Sequence, residues 1–390
     1  MKFQRTIVKA GVAAIAIAGM VSVSACSSGS VSGETVKPTK AAASDFASII
    51  PKGDIVAASK KMVAESLNAS SGFTPPSDGP KAQKPGSVIA YVGSDLTNGG
   101  VNAVAQGLKE AAAVIGWTVQ VYDGQASAQG QTNAINQAIA AHPAAIILGG
   151  SDATQAAASI KQANDAGIVV LGWHAGAKTG PGNGLFTNVS TDPLQVAQLT
   201  AAYAVADSDG KAGVAVFTDS QYSIAVEKAR AMEAYVKACS TCKVLAFEDS
   251  PIATVNQRMP GVISNLLQKY GDKLTYLLAI NGNYFSGAAQ ALRAAGKSPD
   301  GPPKSVGAGD GDAADFQRIR NSEYQAATVA EPIYLESWQL IDEINRSLAG
   351  DKASDFVPAP GLVTKDNVPS GDVFDPKSDY RAIYTKVWGK

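Results

Sequence analysis

The chain is 390 residues long, with a formal net charge of −1 at neutral pH and 17% charged residues. That length suffices for two lobes of ordinary size once a processed segment is removed. No basic stripe points to nucleic acid and no acidic tail to a basic partner, while the abundant Gly and Ala are dispersed through periodic segments, as in a globular chain.

Lys2, Arg5 and Lys9 precede an apolar run over 10–20, which leads to Val23-Ser24-Ala25-Cys26. A positive region, a short apolar region and small residues before a cleavage point make an export signal. The run is shorter than the ~20 residues a membrane span needs. A cysteine directly after small residues resembles the lipobox of bacterial lipoproteins, with Val23 where leucine is commonest. The resemblance implies that 1–25 is removed and that Cys26 is lipidated, a stable anchor where two or more acyl chains are attached. Residues 27–40 are rich in Ser, Gly, Lys and Thr and suit a flexible tether. A weak helical pattern (Ile55, Met62, Val63, Leu67) and a Pro/Gly-rich linker over 74–85 complete an accessory segment, 26–86.

The next stretch, 86–113, opens with Val88, Ile89, Ala90, Tyr91 and Val92, an apolar run suited to a strand buried on both faces. A polar turn follows, then Val101, Val104, Leu108 and Ala112 at helical spacing. The turn carries Ser94, Asp95, Thr97 and Asn98 instead of a glycine-rich phosphate cradle. At the carboxyl end of a parallel strand, such side chains suit a neutral, hydroxyl-rich ligand.

Strand and helix patterns then alternate. Strands are expected at 118–122, 144–148, 168–171 and 185–189, with helices at 132–141 and 154–166. Asp192-Pro193 marks a helix start, an N-cap followed by proline at the first position. A second series places strands at 213–218, 243–247, 274–280, 305–308 and 326–330. Its helices are expected at 224–238, 255–270, 285–295, 313–320 and 333–349. Two consecutive series of this kind imply an α/β fold of two doubly wound, parallel-sheet lobes, with loop-bearing strand ends facing a shared cleft.

Apart from Cys26, the cysteines are Cys239 and Cys242. A redox role for the C-x-x-C pair is disfavoured by its place at a helix carboxyl end, where the dipole opposes a thiolate. A zinc site lacks partners, since His142 and His174 are the only histidines and neither is adjacent in sequence. In an exported protein the pair is most simply a structural disulfide.

The order of loops over 87–369 resembles the type I periplasmic binding proteins of ABC importers, in the ribose/galactose-binding branch. The matching features are the Thr97-Asn98 turn, the Gly150-Ser151-Asp152 loop, the strand Gly167-Ile168-Val169-Val170-Leu171, and the loops Asn281-Gly282-Asn283 and Gly309-Asp310-Gly311. The resemblance implies lobes of 87–190 plus 331–358 and 191–330 plus 359–390. They would be joined by three hinge crossings at 189–192, 330–332 and 358–364. Carried over by position, Asn98 becomes a ligand hydrogen-bonder, while Asp95 suits a turn or cap equally well. Trp173 and His174 stand where many relatives have Asp-Arg, so that arginine contact is lost. Tyr222 belongs to a loop near a second family arginine, whose approximate place falls on Val226. Residues 252–254 supply no stacking aromatic. Either Asn281 or Asn283 faces the ligand, Asp310 is the acidic ligand residue, and Glu331 at the hinge caps a helix or faces the ligand.

No G-x-S-x-G elbow and no phosphate-binding P-loop occurs, and Asp310 with Asp312 shows no sign of the spacing glycoside hydrolysis needs. The expectation is a non-enzymatic, monomeric solute-binding lipoprotein with no cofactor and no metal. It would be held outside the cytoplasm by its lipid, in the periplasm or on the outer face of the plasma membrane, and deliver a small neutral sugar or polyol to an ABC permease. The missing arginines and aromatic favour an acyclic polyol over a pyranose. A sensing protein for a receptor, or a carbohydrate-acting enzyme, are the alternatives.

Overall fold

The computed structural model describes residues 46–67 and 71–390; the export signal, Cys26 and the tether lie outside the described residues. A first helix, α1 (Ile55–Leu67), precedes the sheets. One lobe contains β1 (Val88–Gly93), α2 (Gly99–Ile115), β2 (Thr118–Asp123), α3 (Ala128–Ala140), β3 (Ala145–Gly149), α4 (Ala157–Asp165), β4 (Val169–Trp173), β5 (Gly180–Gly182) and β6 (Leu185–Val189). The other begins with α5 (Pro193–Asp207), β7 (Gly213–Thr218), α6 (Ser223–Ala238), β8 (Lys243–Asp249), α7 (Val255–Tyr270) and β9 (Tyr276–Ala279). It continues with α8 (Asn283–Ala294), β10 (Lys304–Ala308), α9 (Ala313–Arg320) and β11 (Gln325–Ala330). Three further elements follow: α10 (Ile333–Ala349), β12 (Gly361–Thr364) and α11 (Tyr380–Trp388).

The sheets have strand orders β2-β1-β3-β4-β6-β5 and β12-β11-β10-β9-β7-β8. Only β5 and β12, at the edges, pair antiparallel. The apolar run of β1 is sorted by the pleat. Ile89 and Tyr91 enter a core layer under α2 and α10, whereas Ala90 and Val92 enter the opposite layer under α3 and α4. β3 repeats the division, Ala145 and Ile147 to one side, Ile146 and Leu148 to the other. A strand buried on both faces therefore has no polar alternation to show. The turn after each parallel strand lands at the same end of its sheet.

The chain passes between lobes near 189–192 and 330–332, again between α10 and β12, and twice more near its two ends. α1 packs on α5 and β12 of the C-terminal lobe, whereas Phe73 joins the N-terminal core. The sequence assigned 359–390 to the C-terminal lobe and read 358–364 as a hinge. Instead 361–364 is a strand of the C-terminal sheet, and α11 returns to the N-terminal lobe. The reason is aromatic packing. Tyr380, Tyr384 and Trp388, spaced four apart, form one face of α11, and Trp388 stacks on Trp338 of α10 with ring centroids 5.5 Å apart. The two end segments also meet each other, through Ala359 N–H to Gly72 O at 2.9 Å, Ala82 N–H to Trp388 O at 3.0 Å, and an edge-on Phe73–Phe374 contact. Cys239 and Cys242 are disulfide-bonded at the end of α6.

Candidate ligand-binding cleft

Between the closed lobes lies a small cavity of about 70 Å³. Asp95, Asn98, Trp173, His174, Tyr222, Asn281 and Asp310 all line it. Asn283 and Glu331 do not.

On the N-terminal lobe, Asn98 caps α2: its Oδ1 accepts from Gly100 N–H at 2.9 Å and Val101 N–H at 3.2 Å. Its amide NH₂ is the group left for a ligand. Asp95 is tied into its own turn, Oδ1 accepting from Thr97 N–H and hydroxyl at 2.9 and 2.6 Å. Trp173 forms cleft floor and core at once. It is 1% exposed, stacks on His174 with ring centroids 3.9 Å apart, and donates its indole N–H to Glu336 at 2.8 Å. That indole N–H is therefore not free for a ligand.

On the C-terminal lobe, Asn281 is buried in the lining. Its Oδ1 accepts weakly from Asn283 N–H at 3.3 Å, and Asn283 itself begins α8 outside the cavity. Asp310 sits at φ +55°, in a turn that sends its carboxylate toward the other lobe. Two glycines make that approach possible: a Cβ on Gly100 would stand 2.7 Å from Asp310 Cγ, and one on Gly99 2.0 Å from Asp312 Oδ2. The lobes are closed onto each other here.

Behind Asp310 is a buried polar cluster. Glu331 accepts at Oε2 from Asp310 N–H at 3.0 Å and at Oε1 from the Thr191 hydroxyl, linking two hinge crossings. His174 Nε2 lies 3.4 Å from the same Oε1 but has no hydrogen-bond partner. Lys228 of α6, 4% exposed, completes it. A Cβ on Gly309 would lie 2.5 Å from Lys228 Nζ and 2.9 Å from Glu331 Oε2. Burial pushes the Asp310 carboxyl up to about 8, helped by Glu331 and opposed by Lys228. Burial also lifts Glu336 to about 8, again with Glu331, and depresses His174 to about 4 against the pull of Glu331. For Glu331 burial acts upward but is outweighed by His174, Lys228 and its two hydrogen bonds, so it lies below the usual carboxylate value. His174, Asp310 and Glu331 each bring a ligating atom within 4.8 Å of the others. Both Glu331 oxygens are engaged and Lys228 already faces the carboxylates, so the cluster suits internal charge balance better than a cation.

Sequence reasoning missed Lys228. It looked to Val226 for a cation, but Ile224, Ala225 and Lys228 are the residues of α6 that line the cleft. The i, i+1, i+4 spacing of these three is the signal that could have found it. The loop over 252–254 does reach the site, through Ile252 and Ala253, with no aromatic.

Comparison with known proteins bears on this arrangement. A family model described as a periplasmic binding protein domain matches residues 89–352. No curated protein matches the chain. Among solved structures, an ABC transporter solute-binding protein from Agrobacterium vitis with bound α-D-tagatopyranose is similar at TM-score 0.64 and 18% identity, covering 73% of this chain and 96% of that one. A glucose-galactose binding protein from Geobacillus stearothermophilus has the same TM-score, 0.64, at 20% identity, over 73% and 100% of the two chains. A second Agrobacterium vitis solute-binding protein, with bound allitol, gives 0.62 at 20% identity over 73% and 97%. At these identities the likeness is one of fold.

Proposed function

This chain belongs to the periplasmic binding protein family, and from that premise we propose that it is the lipid-anchored solute-binding component of an ABC importer, carrying a small neutral sugar or sugar alcohol. Binding and release between two lobes is the whole mechanism. A ligand that contacts both lobes favours the closed form by its differential affinity, and the permease receives the closed form.

One observation carries the ligand class: the cleft's hydrogen-bonding groups are charge-balanced. At neutral pH the raised Asp310 and Glu336 carboxyls hold protons and the depressed His174 is uncharged. That leaves Glu331 facing Lys228, with Asp95 of the lining tied into its Thr97 turn. No cationic excess is left for an anionic ligand. Hydroxyls, in contrast, find the Asn98 and Asn281 amides, Tyr222, Lys228 and the Asp310 carboxyl, which has no protein hydrogen bond to its oxygens among the described residues. An amide or hydroxyl side chain both donates and accepts, as a sugar hydroxyl does. Much of the wall is aliphatic, Val101, Ile224, Ala225, Ile252, Ala253 and Ile280, beside the rings of Trp173, His174 and Tyr222. The lack of an aromatic at Ile252 and Ala253 supports an acyclic polyol over a pyranose. The α-D-tagatopyranose and allitol bound by the two Agrobacterium vitis proteins are both neutral and polyhydroxylated, one a pyranose and one acyclic.

The test is a thermal-shift panel of allitol, other sugar alcohols, myo-inositol, ketoses and aldopyranoses. Stabilisation by a neutral member supports the class, and stabilisation by aldopyranoses alone overturns the polyol preference.

A further inference from the structure

α6 delivers Ile224, Ala225 and Lys228 to the cleft, yet its own N-cap residue, Tyr222, makes no side-chain cap. The first N–H groups of a helix have no intrahelical acceptor and carry partial positive charge. Here the acceptor comes from the other lobe: Ser223 N–H donates to Asp152 Oδ2 at 2.9 Å. Asp152 follows β3 and is 6% exposed. Its other oxygen is held by the Thr154 N–H at 2.9 Å and by the Thr154 hydroxyl. Beside it the Gln155 side chain donates to Gln221 O, and the Tyr222 hydroxyl bonds Gln131. The Ser223, Gln221 and Tyr222 contacts join the two lobes, so separation of the lobes breaks these three together. Asp152 does not itself line the cavity.

We infer that Asp152 is a positioning residue for ligand binding, a cap on α6 supplied across the cleft and present only in the closed form. It sets α6 in register against the N-terminal lobe and favours closure without touching the ligand. Burial alone would raise the Asp152 carboxyl, but the Ser223 and Thr154 bonds outweigh it and hold it below its usual value, so the cap is an anion facing a helix start. The inference takes the two-lobed binding reading as its premise.

Ser223→Pro tests it cleanly. Ser223 is the first residue of α6, where proline is tolerated, and Tyr222 before it is extended at φ −119°, ψ 119°, as a residue preceding proline requires. The variant removes both inter-lobe donors of Ser223, its N–H and its hydroxyl, and leaves both Asp152 and α6 intact. The readouts are calorimetry with the sugar and polyol panel, the melting temperature of the ligand-free protein, and the inter-lobe distance distribution between spin labels at the exposed positions Asn133 and Lys237. Loss of a cap corresponds to affinity weakened about five- to tenfold in Ser223→Pro and Asp152→Ala, with a smaller closed fraction. The ligand-free melting temperature is unchanged in Ser223→Pro and lower in Asp152→Ala, which also loses its Thr154 bonds. Asp152→Asn, which keeps an acceptor, stays within about twofold of the parent. Equal affinity and equal distance distributions in Ser223→Pro and the parent overturn the inference, as does a lower melting temperature with affinity unchanged. If no panel member binds the parent, the proposed ligand class falls, and the distance distributions of the ligand-free proteins still decide the role of Asp152.

Discussion

Asp310→Asn separates what the site needs for binding from what the fold would choose for itself. The Asp310 carboxyl is 8% exposed, and its oxygens accept no hydrogen bond from the protein among the described residues. Burial and the Glu331 charge raise it to about 8 in the folded state, whereas an unfolded aspartate titrates near 3.9. Between those values the folded protein holds a proton that the unfolded chain has released. Stability therefore falls as pH rises through about 4 to 8. At roughly 1.36 kcal/mol per unit, moving from about pH 5 to pH 8 removes up to about 4 kcal/mol. In the ligand-free protein, opening the lobes rehydrates the carboxylate and limits the loss to the free energy of closure. Asparagine carries no such proton. Its advantage over the parent is near zero at about pH 4 and grows to several degrees in Tm at about pH 8. Above about pH 8, where the carboxyl is ionised, the same change removes a charge-assisted acceptor worth about 1.5–3 kcal/mol, so affinity there falls at least about tenfold. Scanning fluorimetry of both proteins across this pH range, with calorimetry on the ligand they share, makes the comparison. A Tm difference that stays flat with pH, or affinity kept in Asp310→Asn above about pH 8, refutes the reasoning.

Three further outcomes follow from the same geometry. Gly100→Ala places a methyl 2.7 Å from Asp310 Cγ in the closed form. Alanine suits a helix better than glycine by about 0.5–1 kcal/mol, so ligand-free Tm holds or rises while calorimetry shows affinity lost by more than about tenfold. Lys228→Met leaves the buried Glu331 charge without its cation and removes the group opposing the Asp310 shift. Binding weakens at least about tenfold, and the pH window of Asp310 moves upward, read by repeating the fluorimetry series. Replacing Cys239 and Cys242 together by alanine opens only a short loop at the far end of α6. It costs about 2 kcal/mol in denaturant unfolding and leaves affinity unchanged.

Much of the scaffold was legible because its strands are buried on both faces. Runs such as 88–92 and 145–148 advertise a parallel sheet, and the polar turns between them mark the cleft edge. The turn residues Asn98, Asn281 and Asp310 could be picked for the same reason, since each follows a strand. Lys228 was harder, because a helix exposes its cleft face only when the helix phase is known, and Val226 lies two residues away on another face. Trp173 closes β4, which runs past the expected end at 171, and its partner Glu336 comes from α10, 163 residues along, with no local pattern to announce that bond. The return of α11 was encoded in the spacing of Tyr380, Tyr384 and Trp388. It was hidden by the irregular stretch before it.

The central claim is that a charge-balanced cleft between closing lobes binds a neutral polyhydroxylated solute through Asp310. Isothermal calorimetry of the parent and Asp310→Asn against neutral sugars and polyols, with amino acids and sugar acids alongside, tests it most directly. The account predicts one-to-one binding of a neutral member, weakened at least about tenfold in Asp310→Asn above about pH 8. Binding only of charged solutes, or of a neutral one with equal affinity in both proteins at that pH, would contradict it.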